Sequence, residues 1–391
     1  MIFEYCDFPD LRKLVMIPGP TNVPERVMQA MMTPMINHRS PEFHDLYKRI
    51  QTNAQKVFQT NDEIIVLSGS GTSGVDAAVG SVLQAGDTAI VPNYGEFSSR
   101  LGESAKYTGA TVVSPEADLG SVPRLEDIEG AFQSAGKVKA LCVVFNETST
   151  GVTWRRLKEL KEIASKHGAL FIVDAISVLG GENVPVQELG IDVCIAGSQK
   201  CLAAPPGVVI LSFSQDAKKA MTSIKPRNQY FDMSKYFKFA EHAETPATPA
   251  LPLFFAIDEA LKLVLEEGFE KRIKRHEICA NAFYNAFDSI GLKGFAPTEY
   301  RSRTVLGIKY PPGIKDDEFR TVLDKKFGIL VAGGFGKLKG SMFRIGSMGL
   351  IDQTLVTVTV DAVGQSLRYL GYACDPNKAL SVAWENLKAL T

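Results

Sequence analysis

The chain has 391 residues, 45% hydrophobic and 22% charged, a length beyond which a single hydrophobic core usually stops growing, so two domains are expected. Forty-three Lys and Arg against forty-four Asp and Glu leave a formal net charge of -1, which argues against a protein built to coat nucleic acid or an anionic membrane and still allows a local basic pocket. The opening MIFEYCDFPDL carries acids where a secretory leader carries bases, and no apolar run reaches membrane-span length, so a cytoplasmic setting is expected.

Residues 1–20 read as an irregular N-terminal arm turning at Gly19-Pro20, with a helix entered at Pro24, since proline is tolerated in a first helical turn. From Glu63 a regular alternation sets in: EIIVLSGSGTSGVDAAVGSVL reads as a buried strand, a glycine-rich turn and a helix. The apolar signature recurs in TAIVPN (88–93), VKALCVVFNE (138–147), ALFIVDA (169–175), DVCIAG (192–197) and GVVILSF (207–213), between helical stretches such as RRLKELKEIASKHG. Continuous apolar strands alternating with helices predict a mainly parallel sheet covered on both faces, a three-layer α/β large domain over residues 21–265. Leu253 to Glu267 reads as a helix. Residues 266–391 read as a smaller C-terminal α+β domain, with short strands TVLGIKY and SMFRIGS and helices EFRTVLDKK and LVTVTVDAVGQSLRYL. Cys6, Cys142, Cys194, Cys201, Cys279 and Cys374 include no CxxC pair and no short histidine spacing, so free thiols and no metal site are expected.

In an open α/β sheet ligands bind at the carboxyl ends of the strands. The polar residues interrupting the apolar runs there are 68–72, 93–97, 146–150, 174–177 and 198–200. The SGSGT turn can present the amides of Gly69, Ser70, Gly71 and Thr72 at a helix amino end, which attracts phosphate. It is no Walker sequence, and a tight turn needing small residues explains it equally well. Asp174 ends FIVD, where a buried carboxylate needs a partner: a protonated ring nitrogen, an arginine or, as the poorest choice without a nearby His or Glu cluster, a metal. Lys200, in GSQKCLAAPPG, sits on the turn after the next strand. In a partly dry site its amine would lose its proton more readily than in water, the condition for imine formation; the alternative is a solvated loop lysine. Phe97, in NYGEFSSR, is a ring able to lie on a planar cofactor or to serve the core, and Thr148 and Ser149, in NETSTG, offer hydroxyls or a plain turn. Arg344, in MFRIG, carries the planar fork that pairs with a carboxylate, or plays a structural part. Together these residues supply a phosphate cradle, a ring stack, a ring-nitrogen counterion, an imine lysine and a carboxylate clamp, the contacts that pyridoxal phosphate and an amino acid require.

The stretches IPGPTNVP, NHRSPEF, SGSGT, NETSTGV, VDAISVLGG, GSQKCLAAPPG and FRIGSMG run in order from about Pro18 to Gly349. They resemble the class V branch of the fold-type I pyridoxal-phosphate aminotransferases, most closely the alanine:glyoxylate and serine:pyruvate or serine:glyoxylate enzymes. The resemblance implies that Lys200 holds pyridoxal 5'-phosphate as a Schiff base and that Asp174 pairs with the pyridine nitrogen. It implies a phosphate site from Gly71, Thr72 and Gln199 with Ser70 in the cradle. Phe97 stands where relatives often place tryptophan on the ring, and Thr148 would reach the ring oxygen side. Arg344, with Gly19 nearby, would take the substrate α-carboxylate. In relatives a tyrosine and a threonine from the partner subunit complete the phosphate cup; here Thr248 fits the threonine, and Thr245 stands at the tyrosine position.

The family fold is a homodimer with active sites at the subunit boundary. The implied activity moves an amino group from alanine or serine to glyoxylate or pyruvate, with no nucleic-acid or membrane partner, and small residues around Gly19, Thr21 and Ser347 suit such donors. Competing readings are an aspartate aminotransferase, with Arg39 or Lys337 taking the second carboxylate, and a cofactor-free scaffold with a degenerate site. A cysteine desulfurase needs a mobile catalytic cysteine and a histidine before the lysine, whereas this chain has Gln199 there and no cysteine in the candidate loops after Ala332.

Overall fold

The computed structural model describes residues 13–390, so Cys6 and the first part of the expected arm lie outside the described residues. Its apolar runs build a seven-stranded sheet from β1 (Glu63–Ser68), β2 (Thr88–Ile90), β3 (Thr111–Val113), β4 (Ala140–Val144), β5 (Leu170–Asp174), β6 (Val193–Gly197) and β7 (Val208–Phe213). Their spatial order is β1-β7-β6-β5-β4-β2-β3. Every residue of β4, β6 and β7 is buried, as strands covered on both faces require.

The pairs β2–β3, β2–β4, β4–β5 and β5–β6 are parallel. Strand β7 is reversed and pairs antiparallel with both β6 and β1. The connection explains this: only residues 198–207 separate β6 from β7, and a parallel neighbour needs a crossover of about a dozen residues or more. Strand β1 therefore runs the same way as β6. The carboxyl ends of β1, β2, β4, β5 and β6 open on one edge of the sheet.

Helices α1 (Pro41–Phe58), α2 (Gly71–Val82), α3 (Glu96–Tyr107) and α4 (Leu251–Glu267) belong to this large unit. Helices α1 and α4 pack on each other and on β7, while α2 lies across β5, β6 and β7. Ser70 caps α2, its Oγ accepting from the Ser73 amide at 3.4 Å.

Helix α5 (Phe269–Ser289) leads into the smaller C-terminal domain. There β8 (Lys293–Gly294), β9 (Val305–Lys309), β10 (Ala332–Gly333) and β11 (Met342–Gly346) form an antiparallel sheet in the order β8-β9-β11-β10. Helices α6 (Asp316–Phe327), α7 (Gln353–Tyr369) and α8 (Pro376–Leu387) accompany it, and α8 packs on both α5 and α7. This unit has its own core, with Phe283, Phe287, Phe319, Phe343 and Val360, separate from the cluster around the large sheet. The whole is a three-layer α/β architecture, with a large mixed-sheet domain and a smaller C-terminal one.

Two local features differ from the sequence reading. The described part of the arm is regular: Leu14–Val15 pairs in parallel with Ile329–Leu330, and Met16 enters the small core. A two-residue strand is too short to leave a periodic signal. Pro24 stands before the helix Glu25–Ala30 as its cap position rather than within its first turn.

Candidate active site

Asp174 is the last residue of β5, so the sheet itself fixes where its carboxylate emerges. Its Oδ1 accepts from the Ile176 amide at 2.9 Å, and Oδ2 has no hydrogen-bond partner among the described residues. Burial pushes this carboxyl up from 3.8 to about 7; the nearby Glu147 charge adds to the rise, while the Ile176 amide and Lys200 oppose it.

Lys200 lies on the turn between β6 and β7, and its Nζ donates to the Pro18 carbonyl. Burial lowers the amine from 10.5 to about 8, with the Arg344 charge acting in the same direction. The turn is held from the arm side, because Thr21 donates from its amide to the Gln199 carbonyl at 3.2 Å and from Oγ1 to the Lys200 carbonyl at 3.3 Å. Gly19 has φ 93°, and a β-carbon there would meet Lys200 Cδ at 2.6 Å and Nζ at 2.9 Å. Glycine is what leaves the lysine its place.

One cleft gathers Asp174, Gln199 and Lys200 with Gly71, Thr72, Phe97 and Thr148. Gly71 and Thr72 are the first two residues of α2, where the amides have no intrahelical acceptor and the helix dipole favours an anion. Gln199 Oε1 is buried without a hydrogen-bond partner. Rotation of that amide offers a ligand either a donor or an acceptor. These groups fit pyridoxal phosphate: an anion site, a buried carboxylate that a protonated ring nitrogen would keep charged, an aromatic ring and an easily deprotonated amine.

Arg344 on β11 is buried, and its guanidinium is held by backbone carbonyls. Nε and Nη2 donate to Gly333 O at 2.9 and 2.8 Å, and Nη1 donates to Thr148 O at 2.9 Å. One N–H on each terminal nitrogen is left over, and Arg344, like Gly19, is not among the residues lining the cleft. Burial lowers the guanidinium to about 10, and it remains cationic at neutral pH. Phe335 covers it at 4.6 Å from the ring centroid, and Phe97 meets Phe335 edge-on at 6.2 Å.

Other expected residues stand apart. Ser70 serves as the α2 cap and does not line the cleft. Thr245 is buried with its Oγ1 donating to Ala247 O at 2.8 Å, and Thr248 is exposed; neither lines its own chain's cleft. Ser347 is buried away from the cleft lining. Arg39 pairs with Glu244 at 3.2 Å, and Lys337 borders a neighbouring cleft beside Phe335.

Asn146, Ile176 and Ser177, within the strand-end stretches 146–150 and 174–177 but given no role of their own, also line the cleft, as does Arg100, which the sequence reading missed. Arg100 sits one helical turn after Phe97, its guanidinium 5.1 Å from that ring. Asn146 Nδ2 donates to Ser177 Oγ at 2.8 Å, joining the ends of β4 and β5. Arg100 lies within α3 rather than at a strand end, so strand-end position gave no signal for it.

Comparison with known proteins adds to this geometry. The family described as aminotransferase class-V matches residues 15–351. An uncharacterised aminotransferase of Methanocaldococcus jannaschii is 39% identical over 367 residues, spanning 93% of this chain and 94% of that one. The serine–glyoxylate aminotransferase of Methylorubrum extorquens is 33% identical over 387 residues, 96% of each chain. Among solved structures, the ureidoglycine–glyoxylate aminotransferase of Bacillus subtilis superposes with a TM-score of 0.91 at 31% identity, covering 96% of this chain and 98% of that one.

Proposed function

The chain belongs to the class-V aminotransferase family, and on that premise we propose that it binds pyridoxal 5'-phosphate at Lys200 and moves an amino group from alanine or serine to glyoxylate or pyruvate. The observation that carries this reading is the meeting of Lys200, Asp174 and the amino end of α2 in one cleft. Serine–glyoxylate and ureidoglycine–glyoxylate relatives support glyoxylate as the acceptor.

When bound, the cofactor supplies a conjugated ring able to accept the electron pair released at the substrate α-carbon. Asp174 holds a proton at the ring nitrogen by remaining ionised against it. Gly71, Thr72 and Gln199 anchor the phosphate, and Phe97 and Ile176 exclude water from the ring. The Lys200 amine would take the proton from the donor's α-carbon as a base and, in the second half of the transfer, deliver a proton to the acceptor's α-carbon as an acid. Arg344 orients the substrate carboxylate. Amino donor and oxo-acid acceptor both carry that group, so one clamp serves both halves of the transfer.

A homodimer in the cytoplasm completes the proposal. Thr248 is exposed and stands away from its own cleft, which suits a role at a partner's phosphate site. Addition of pyridoxal phosphate should give an absorption band that borohydride removes, with the label fixed to the Lys200 peptide. Alanine, serine and aspartate should then be screened against glyoxylate, pyruvate and 2-oxoglutarate. Absence of a reducible band overturns the cofactor assignment, and a preference for aspartate with 2-oxoglutarate overturns the substrate assignment.

A further inference from the structure

Resting on that cofactor reading, we propose that Glu147 is a positioning residue of the site, clipping the loops of Phe97 and Thr148 to a single buried carboxylate. Glu147 belongs to the short strand Asn146–Glu147, paired with Val152–Thr153 beyond the end of β4. It is fully buried, and among the described residues no ion pair joins it. Its charge is satisfied by N–H and O–H donors instead. Oε1 accepts from the Phe97 amide at 3.2 Å, the Ser149 amide at 3.0 Å and Ser149 Oγ at 2.6 Å, and Oε2 accepts from the Ser98 amide at 2.9 Å.

The first turn of α3 is thereby closed from outside the helix. Gly95, at its cap position, has no side chain to do so, and a β-carbon there would lie 2.4 Å from the Glu147 carboxyl carbon. The carboxylate fills the place a capping side chain would take. Ser149 Oγ extends the arrangement by accepting from the Glu96 amide at 3.0 Å.

A cap alone would need only the α3 amides. The same carboxylate also holds Ser149, and so fixes the turn whose Thr148 carbonyl holds the Arg344 guanidinium. Ring stack and carboxylate clamp are therefore referred to one group that lines no part of the cleft. Its charge also bears on Asp174, whose other charged or titratable neighbours are Lys200, Tyr94 and Cys194.

The test uses E147Q, which keeps the side-chain volume but presents an N–H to at least one of the four donors. Apo E147Q should melt as a folded protein, and its dissociation constant for pyridoxal phosphate, read by absorbance titration, should rise roughly tenfold. The pH below which cofactor binding weakens should also move down, because Asp174 loses a negative neighbour. Folded E147Q with wild-type affinity for the cofactor overturns the inference. If E147Q is recovered only unfolded, S149A decides: loss of its relay hydroxyl should weaken cofactor binding about fivefold, and unchanged affinity overturns the inference. Wild-type protein that takes up no pyridoxal phosphate overturns the functional reading itself, a result distinguishable from either variant outcome.

Discussion

Replacing Asp174 with asparagine separates the cost of a buried carboxylate from its use. Burial moves this carboxyl from 3.8 to about 7. The folded value lies above the unfolded one, so the stabilising effect of the bound proton is complete below about pH 4 and is lost as pH rises through about 7. Above that range the cofactor-free protein carries the charge at a cost of about 4 kcal/mol, taking 1.36 kcal/mol for each tenfold change in proton affinity. Asparagine keeps an acceptor for the Ile176 amide and has no charge to bury. Apo D174N should therefore be more stable than apo wild type at pH 8, by about 2 to 4 kcal/mol once local repacking is allowed for. The difference should shrink towards pH 5. Thermal melts of cofactor-free protein in matched buffers at the two pH values read it directly. With pyridoxal phosphate added the order at pH 8 should invert, since only the carboxylate pairs with a protonated ring nitrogen and binding stabilises the state that binds. A D174N gain of equal size at pH 5 and pH 8, or a loss at pH 8, would refute the reasoning.

K200A should abolish turnover and borohydride labelling while retaining measurable cofactor binding through the α2 amino end and Asp174; turnover at the wild-type rate would remove Lys200 from the proton transfer. R344K should raise KM for donor and acceptor alike, by about tenfold or more, because an ammonium cannot hold Gly333 O, Thr148 O and a carboxylate with one rigid fork. Unchanged KM for both would move the carboxylate site elsewhere. G19A combines a left-handed backbone, at about 1 to 2 kcal/mol, with a β-carbon in the volume of Lys200. Its apo melting temperature and its yield of borohydride-fixed label should both fall, and wild-type values for both would show that the arm can shift without consequence.

Much of the layout was legible because a run such as VCIAG, apolar at both alternating positions, has to be buried on both faces. That placed the polar residues after β1, β5 and β6 on one edge, with Lys200 and Asp174 among them. The direction of β7 was not legible from its own residues, since VVILSF carries the same pattern read either way; the short connection from β6 decides it. The surroundings of Phe97 were hidden for another reason. Phe335 and Arg344, which build that wall, arrive from the small domain, and no local spacing links them to α3. Glu147 stood out only as an acid after an apolar strand, because its partners on α3 are backbone amides about fifty positions earlier in the chain. An amide carries no side-chain signature.

The small parallel pair at Leu14–Val15 has a mechanical meaning. The Met16 carbonyl accepts from the Gly346 amide at 2.8 Å, two positions beyond Arg344, and the Pro18 carbonyl receives Lys200 Nζ. A short rod of backbone thus spans from the guanidinium's strand to the amine. A shift of β11 against the large sheet would therefore strain the hold on Lys200, which ties the position of the amine to the seating of the small domain.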